Sequence, residues 1–166
     1  TDAIGDVTGS QTGIAAQTTG AGNVTIDSSA GTLIGGDHGI LVDSAGSGSV
    51  SLVTADVTGT RQHGLFVRST GGIAIDSKAG SVTGSGFGIS ATNMTAGDLS
   101  ITTGDVTGNN YSGIAASNSG GALTVDSSAG DVEGAVGVDT ENNGTGALTI
   151  TTGDVTGTVD EGIGAI

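Results

Sequence analysis

One short motif recurs seven times along this chain, and its spacing constrains the fold more than any other feature. The motif is Asp-Val-Thr-Gly or a variant of it. Its valine position is occupied by Val7, Leu33, Val57, Val82, Val106, Val132 and Val155. The six steps from position 7 to position 155 cover 148 residues, which gives a mean period of about 24.7 residues. A fixed period of this length is typical of a solenoid, in which each repeat packs against its neighbours.

The composition excludes an ordinary globular core. The 166 residues include 34 glycines, two phenylalanines, one tyrosine and no tryptophan, so the large side chains that would fill such a core are missing. Disorder is disfavoured because valine, isoleucine and leucine recur at fixed positions. Since the repeat runs along the whole chain, we expect residues 1–166 to be a single solenoid segment excerpted from a longer repeat protein.

Each repeat contains three short segments in which apolar and small or polar residues alternate, and this indicates three β-strands per coil. The first strand carries the valine position inward. The second follows a glycine and carries an inward pair such as Ile114 and Ala116, and the third carries a pair such as Leu123 and Val125. We therefore predict an all-β fold, a right-handed three-sided parallel β-helix of about seven coils of about 25 residues, the last coil incomplete.

Two series of glycines flank the corner between the first and second strands. The first series ends the first strand and comprises Gly9, Gly35, Gly59, Gly84, Gly108, Gly134 and Gly157. The second series opens the second strand and comprises Gly13, Gly39, Gly64, Gly88, Gly113, Gly137 and Gly162. We expect these positions to need positive φ, which glycine adopts freely, so that an alanine there would cost about 1 kcal/mol or more.

The corner between the third strand and the next first strand alternates between six and four residues. The six-residue corners contain Asp-Ser-Ser-Ala-Gly or Asp-Ser-Lys-Ala-Gly, and most four-residue corners are Thr-Thr-Gly-Asp. The true repeat is therefore two coils, about 49 residues. This alternation keeps most corner aspartates two coils apart, which roughly halves their mutual repulsion.

The charge balance bears on the choice of partner. Seventeen acidic residues against three basic ones give a formal charge of −14, which disfavours nucleic acid and anionic membranes as partners. No long apolar run is present, so we predict no membrane insertion within this segment. Cations and neutral glycans are electrostatically better partners.

A few residues are candidates for metal binding. His38 and His63 each precede a corner glycine one coil apart, and with Asp37 they could bind a transition metal, although turn histidines without a ligand fit the pattern better. Oxygen-bearing side chains in wide corners predict at most weak calcium binding, with no dedicated cofactor. They are Asp131 with Glu133, and Glu141 with Asn142 and Asn143.

Two pairs of side chains on adjacent coils complete the candidate sites. Arg68 aligns one coil from Asp43, which predicts an inter-coil ion pair rather than a catalytic group. Leu41 and Phe66 occupy outward positions of the second strand, where no core demands an apolar residue. They are predicted to lie side by side and to form a contact patch, although isolated surface apolar residues are also common.

The reiterated segments Thr-Thr-Gly-Asp-Val-Thr-Gly, Gly-Ile-x-Ala and Leu-Thr-Ile, in a chain poor in cysteine and aromatic residues, point to a family. They resemble the right-handed β-helix passenger segments of bacterial autotransporters and related large secreted adhesins. The resemblance covers the whole chain, and the shared motif is structural. It implies export, display on the bacterial cell surface and adhesion, and it carries over no functional residue.

These features predict an extracellular structural or adhesive β-solenoid that projects from or coats a bacterial surface. Its partners would be further copies of itself, end to end or side by side, or a glycan or protein of a host or another surface. The alternative is a segment of a glycan-active β-helix enzyme, a lyase or hydrolase, whose active coils lie elsewhere. We expect no catalysis here, because a catalytic groove needs carboxylates clustered with a base or a cation, and only three cations are present.

Overall fold

A computed structural model describes residues 3–166, which form twenty β-strands and no helix. In chain order the strands are β1 (Val7–Gly9), β2 (Thr12–Thr18), β3 (Val24–Ser28), β4 (Leu33–Gly35), β5 (His38–Ser44), β6 (Val50–Thr54), β7 (Val57–Gly59), β8 (Leu65–Ser69), β9 (Ile73–Ser77), β10 (Val82–Gly84), β11 (Ile89–Asn93), β12 (Leu99–Thr103), β13 (Val106–Gly108), β14 (Ile114–Asn118), β15 (Leu123–Ser127), β16 (Val132–Gly134), β17 (Val138–Asn142), β18 (Leu148–Thr152), β19 (Val155–Gly157) and β20 (Ile163–Ala165). Over these residues there is no helix long and apolar enough to cross a lipid bilayer.

Every strand pairs in parallel with the strand three places along the chain, so the backbone winds as a coil with three sheets. The first sheet has the order β1-β4-β7-β10-β13-β16-β19, and the second has the order β2-β5-β8-β11-β14-β17-β20. The third has six strands in the order β18-β15-β12-β9-β6-β3. The register is one repeat, as in Val82 beside Val106. The predicted three-sided parallel β-helix is therefore confirmed, with six complete coils and an incomplete seventh.

The core consists of inward apolar side chains stacked in columns from coil to coil. Leu33, Val57, Val82, Val106 and Val132 form one column and are at most 1% exposed. Within residues 3–166 the first and last coils each pack on one other coil, and their valines at this position are half-buried. Burial of these columns is the main source of stability, because each buried aliphatic side chain contributes about 1.5–3 kcal/mol.

The second and third strands extend one inward residue further than the sequence pattern predicts, and that extra residue is polar. At the end of the second strand the column contains Ser44, Ser69, Asn93 and Asn118, all fully buried. At the end of the third strand the column contains Ser28, Thr54, Ser77, Thr103 and Ser127, also fully buried. We name the corner after the second strand the polar corner, and the corner after the third strand the alternating corner.

The alternating corner has the predicted two-coil repeat. Four residues separate Ser28 from Leu33, whereas two separate Thr54 from Val57. Aspartates of alternate coils accept hydrogen bonds at Oδ1 from backbone N–H groups of the next coil. These bonds join Asp6 to Thr32 at 2.8 Å, Asp56 to Ser81 at 2.9 Å and Asp105 to Asp131 at 2.9 Å. The alternation thus serves coil-to-coil hydrogen bonding as well as charge separation.

The corner between the first and second strands, which we name the glycine corner, corrects one expectation. Gly97, with φ of 83°, is the one residue of positive φ within residues 3–166, and it belongs to the polar corner. The glycines of the glycine corner are required for space instead. A Cβ on Gly64 would lie 2.6 Å from Val82 Cγ1 and 2.7 Å from the carbonyl oxygen of Gly88.

Candidate functional site

An aromatic stack runs along the outside of the glycine corner through four successive coils. His38, His63, Phe87 and Tyr111 contribute one ring each, with successive centroids separated by 5.1, 5.1 and 5.0 Å. The parallel register places His38, His63 and Phe87 at equivalent positions, directly before a corner glycine, and such positions repeat at about 4.8 Å along the helix axis. Tyr111, two residues before its corner glycine, continues the column by packing on Phe87. The two histidines therefore lie next to each other, as predicted, and two further rings extend the column.

The contact-patch residues lie beside this stack. Leu41 of β5 is in register with Phe66 of β8, as predicted, and Ala15 of β2 precedes Leu41 in the same outward column. The Phe66 ring also packs on both histidines, at 5.6 Å from His38 and 5.3 Å from His63. We name Ala15, Leu41 and Phe66 the apolar patch. Leu41 and Phe66 are half-buried, and they line a shallow cavity of about 250 Å³ together with Ala15, Ala16, Gln17 and Asp43.

The electrostatics of the histidines favour neutral rings. Burial lowers the pKa of His38, while the adjacent Asp37 carboxylate acts in the opposite direction. Burial and the neighbouring His38 both lower the pKa of His63. Nδ1 of His63 accepts a hydrogen bond from the backbone N–H of Phe87 at 3.2 Å. A neutral imidazole that accepts at Nδ1 carries its proton on Nε2, so His63 Nε2 is a donor.

This tautomer disfavours the predicted metal site, because Nε2 of His63 lacks the lone pair that a metal ion needs. Asp37, the expected third ligand, is engaged by Arg61, whose Nε lies 3.0 Å from Asp37 Oδ1. Within residues 3–166 there is no group of three or more His, Cys, Asp or Glu side chains placed to hold a metal ion. Metal binding by His38 and His63 stays a prediction without structural support.

The predicted ion pair between Asp43 and Arg68 is not formed, although the two residues are in register on β5 and β8. The Arg68 guanidinium instead extends toward Met94, with Nη2 3.5 Å from the sulfur. The described part of the chain contains one ion pair with an N–O distance within 4.0 Å, and it joins Arg61 to Asp37. Both Asp43 and Arg68 are partly or fully solvent-exposed, where an ion pair contributes little.

The predicted calcium ligands are dispersed. The Asn142 side chain turns inward, where its Oδ1 accepts from Asn118 Nδ2 at 3.0 Å and from the N–H of Gly144 at 3.3 Å. Oε1 of Glu141 accepts from Asn143 Nδ2 at 2.7 Å. The Oδ1 of Asn142 is therefore not available on the outside of the corner to bind calcium together with Glu141 and Asn143. Asp131 and Glu133 are exposed, and calcium binding there stays a prediction.

A ladder of asparagine side chains stabilises the polar corner, and the sequence interpretation missed it. Asn93 Nδ2 donates to Asn118 Oδ1 at 2.9 Å, and Asn118 Nδ2 donates to Asn142 Oδ1. The same amides donate to turn carbonyls of Ala96, Gly97, Gly121 and Gly146. The sequence does contain a signal for this ladder, because asparagines occur at positions 93, 118 and 142, which are 25 and 24 residues apart.

A second concavity lies at the exposed end of the aromatic stack, about 590 Å³ in volume. We name it the corner cavity, and its lining residues are Arg61, Gln62, His63, Ser85, Gly86, Asn110 and Tyr111. Tyr111 is 56% exposed, so much of its ring faces solvent even though it packs on Phe87. Sequence reasoning missed this cavity because Tyr111 precedes its corner glycine by two residues, whereas the histidines precede theirs by one.

Comparison with known proteins identifies no relative of this chain. No family model, no curated protein and no solved structure matches it significantly.

Proposed function

We propose that this chain is a structural and adhesive β-solenoid, exported and displayed on a bacterial surface, which acts by contact and not by catalysis. The observation that carries the proposal is the apolar patch beside the aromatic stack. Leu41 and Phe66 are held together on adjacent coils, and partly exposed apolar neighbours favour a contact surface more than scattered apolar residues do. The resemblance of the repeats to autotransporter passenger segments supports the surface location.

The fold supports a projecting role. Six coil-to-coil steps at about 4.8 Å place the first and seventh coils roughly 29 Å apart along the axis. Each step is made by parallel strand pairs in the same register on two or three sides, so outward residues of the second sheet stand in columns along the rod, as Ala15, Leu41 and Phe66 do. A side chain in such a column is therefore held beside its neighbours of the adjacent coils.

The charge of the chain predicts how such contacts respond to salt. A formal charge of −14 opposes the lateral approach of two copies, and salt reduces that repulsion over a screening length of about 10 Å at 0.1 M. Association through the apolar patch should therefore strengthen as salt increases. Association through ion pairs would weaken under the same change.

The test is to display the chain on the surface of a bacterial host and to measure cell aggregation and retention on glass. We expect the double variant Leu41→Ser and Phe66→Ser to lose both, because full burial of the two side chains contributes roughly 1–2 kcal/mol beyond their present half-burial. The matched control is Ile34→Ser with Val53→Ser, two apolar residues on the other two faces, each 39% exposed.

Adhesion that persists in the Leu41→Ser, Phe66→Ser variant would remove the apolar patch from consideration. Equal loss in the control variant would show that general surface hydrophobicity is responsible. Sedimentation velocity of the purified chain and of its variants at low and high salt tests self-association through the apolar patch without surface display.

A further inference from the structure

We propose that the corner cavity is a binding site for a neutral saccharide, with Tyr111 as its stacking platform. The inference deepens the adhesive function proposed above and rests on it for its biological setting. The two cavities share no lining residue, although Phe66 of the apolar patch packs on His63 of the corner cavity. Leu41 is therefore the patch residue with which the two sites can be tested independently.

The platform is the exposed ring of Tyr111. One side of this ring packs on Phe87, with centroids 5.0 Å apart and planes at 28°, and 56% of the residue is exposed. Aromatic faces carry negative potential, and they attract the weakly positive C–H groups on the apolar face of a pyranose ring. A ring fixed from behind by Phe87 loses little conformational freedom when a sugar binds, which lowers the entropic cost of binding.

Groups that donate or accept hydrogen bonds surround this platform. Asn110 Nδ2 donates to the carbonyl oxygen of Ser85 at 2.5 Å, which fixes the amide and leaves its Oδ1 as an acceptor. His63 also lines the cavity, and its Nδ1 already accepts the hydrogen bond from the backbone N–H of Phe87. Gln62 is exposed and offers both an amide oxygen and an amide N–H group. Saccharide hydroxyls need both donors and acceptors, and this set provides both.

The floor of the cavity has room for glycine only at position 86. A Cβ on Gly86 would lie 2.8 Å from His63 Nδ1 and 3.1 Å from the carbonyl oxygen of Gln62. The glycine thus lets the His63 ring and the backbone of two coils approach each other. The volume of about 590 Å³ lies within the range of about 300–1,000 Å³ that is usual for small-molecule sites.

The charges indicate a neutral ligand. Arg61 lines the cavity, but its Nε faces Asp37 Oδ1 at 3.0 Å and the carbonyl oxygen of Gly36 at 2.9 Å, and its Nη2 donates to the carbonyl oxygen of Ser10. Its positive charge is therefore largely compensated. Since the whole chain carries −14, an anionic glycan would be repelled on approach. The remaining guanidinium protons are still able to donate to sugar hydroxyls.

The chain provides its own probe for the test. Tyr111 is the only tyrosine and there is no tryptophan, so intrinsic tyrosine fluorescence reports this site alone. The purified chain is titrated with cellotetraose, maltotetraose, tri-N-acetylchitotriose and, as the anionic comparison, tetragalacturonate, each to roughly 10 mM. We expect a saturable change with at least one neutral sugar, at a dissociation constant on the order of 1 mM, and at least about tenfold weaker binding of tetragalacturonate.

Variants locate the binding by saturation-transfer NMR, with circular dichroism to confirm folding. Tyr111→Ala should weaken binding at least about tenfold, Tyr111→Phe should retain it, and Gln62→Ala should weaken it several-fold. The single variant Leu41→Ser, which leaves Phe66 packed on His63, should bind sugar normally while weakening adhesion, and this separates the inference from the proposed function. The inference is overturned by the lack of a saturable response to all three neutral sugars, by tetragalacturonate binding as tightly, or by unchanged binding in Tyr111→Ala.

Discussion

The glycine corner and the polar corner adjoin the two ends of the same second strand, and they are stabilised by opposite means. At the glycine corner, side chains are left out so that neighbouring coils approach closely, as at Gly64 and Gly113. At the polar corner, a buried side chain is inserted, and the amide of Asn118 bonds to both neighbouring coils. A solenoid corner can thus be fixed by close backbone packing or by an internal hydrogen-bond ladder. The two solutions should respond differently to substitution.

The largest effect is expected at the glycine corner. A Cβ introduced by Gly113→Ala would lie 2.6 Å from Val132 Cγ1 and 2.7 Å from the carbonyl oxygen of Glu133, atoms that cannot move without displacing the next coil. We expect a loss of about 3 kcal/mol or more in the free energy of unfolding. Urea unfolding followed by circular dichroism at the β-sheet minimum measures it.

The matched control for this prediction is Gly162→Ala, the equivalent position in the last coil. There the nearest atom to an added Cβ is the carbonyl oxygen of Val155 at 3.4 Å, so this variant should unfold within about 0.5 kcal/mol of the parent chain. Equal stability of the two variants would show that close packing does not explain the glycine corner.

At the polar corner the sharpest test is Asn118→Ala. The change removes the amide bonds to Asn93 and Asn142 and leaves the carbonyl oxygen of Gly121 and the N–H of Gly120 without their side-chain partner. We expect a loss of about 2–3 kcal/mol in the free energy of unfolding, measured by the same urea titration.

Ser44→Ala, in the same buried column, serves as the control for Asn118→Ala. Within the described residues Ser44 Oγ has no hydrogen-bond partner, so its removal should change the stability little or raise it slightly. A similar loss in both variants would mean that burial at this position matters and that the ladder does not.

The period and the columns could be predicted from the sequence because inward apolar residues repeat at fixed spacing, as Val82 and Val106 do. The positions of the corner glycines could be predicted for the same reason. Their physical cause could not, because the clash that excludes a Cβ at Gly64 comes from Val82 Cγ1 and the carbonyl oxygen of Gly88, both in the next coil. Local sequence carries no direct record of such contacts between coils.

The candidate sites show the same limit. Register alone correctly placed Leu41 beside Phe66, because pairing fixes which backbone positions are neighbours. Register also aligned Asp43 with Arg68. Register does not fix the rotamer of a long side chain, however, and Arg68 extends toward Met94. The asparagine ladder was missed because the inward alternation of the second strand continues into residues that resemble turn residues in composition.

A smaller effect at the glycine corner depends on pH. Burial lowers the pKa of His38 and of His63 in the folded chain, with the charge of His38 adding to the effect at His63. The unfolded chain therefore binds these protons first, near the ordinary value of 6.5, so stability falls as the pH decreases below about 6.5 and levels off below the folded-state pKa values. We expect the melting temperature to decrease as the buffer is taken from neutral to mildly acidic pH.

The double variant His38→Phe with His63→Phe should lose this pH dependence, since Phe87 shows that a phenyl ring fits the same column. Hydrogen bonds from Ser29 and Ser128 lower the pKa of Asp27 and Asp126, but these carboxylates affect stability only below about pH 3.8, a separate window. A wild-type melting temperature that is flat between neutral and mildly acidic pH would contradict the prediction.

The smallest effect tests whether the polar corner's ladder can be extended into the half of the chain that lacks it. The turn Ser44-Ala-Gly-Ser-Gly has the same length and the same two glycines as Asn142-Asn-Gly-Thr-Gly, in which the Asn142 amide accepts from Gly144 N and donates to the carbonyl oxygen of Gly146. In Ser44→Asn the introduced amide can make the equivalent bonds to Gly46 and Gly48. It can also donate to Ser69 in the next coil, as Asn118 donates to Asn142. We expect stabilisation by about 1 kcal/mol in urea unfolding, because a buried hydroxyl that has no hydrogen-bond partner within residues 3–166 is replaced by a bonded amide. Ser127, in the alternating corner, is likewise buried and without a partner among those residues, but no Gly-x-Gly turn follows it, so Ser127→Asn should destabilise the chain instead. If both variants lose stability, volume limits the column and the ladder cannot be extended.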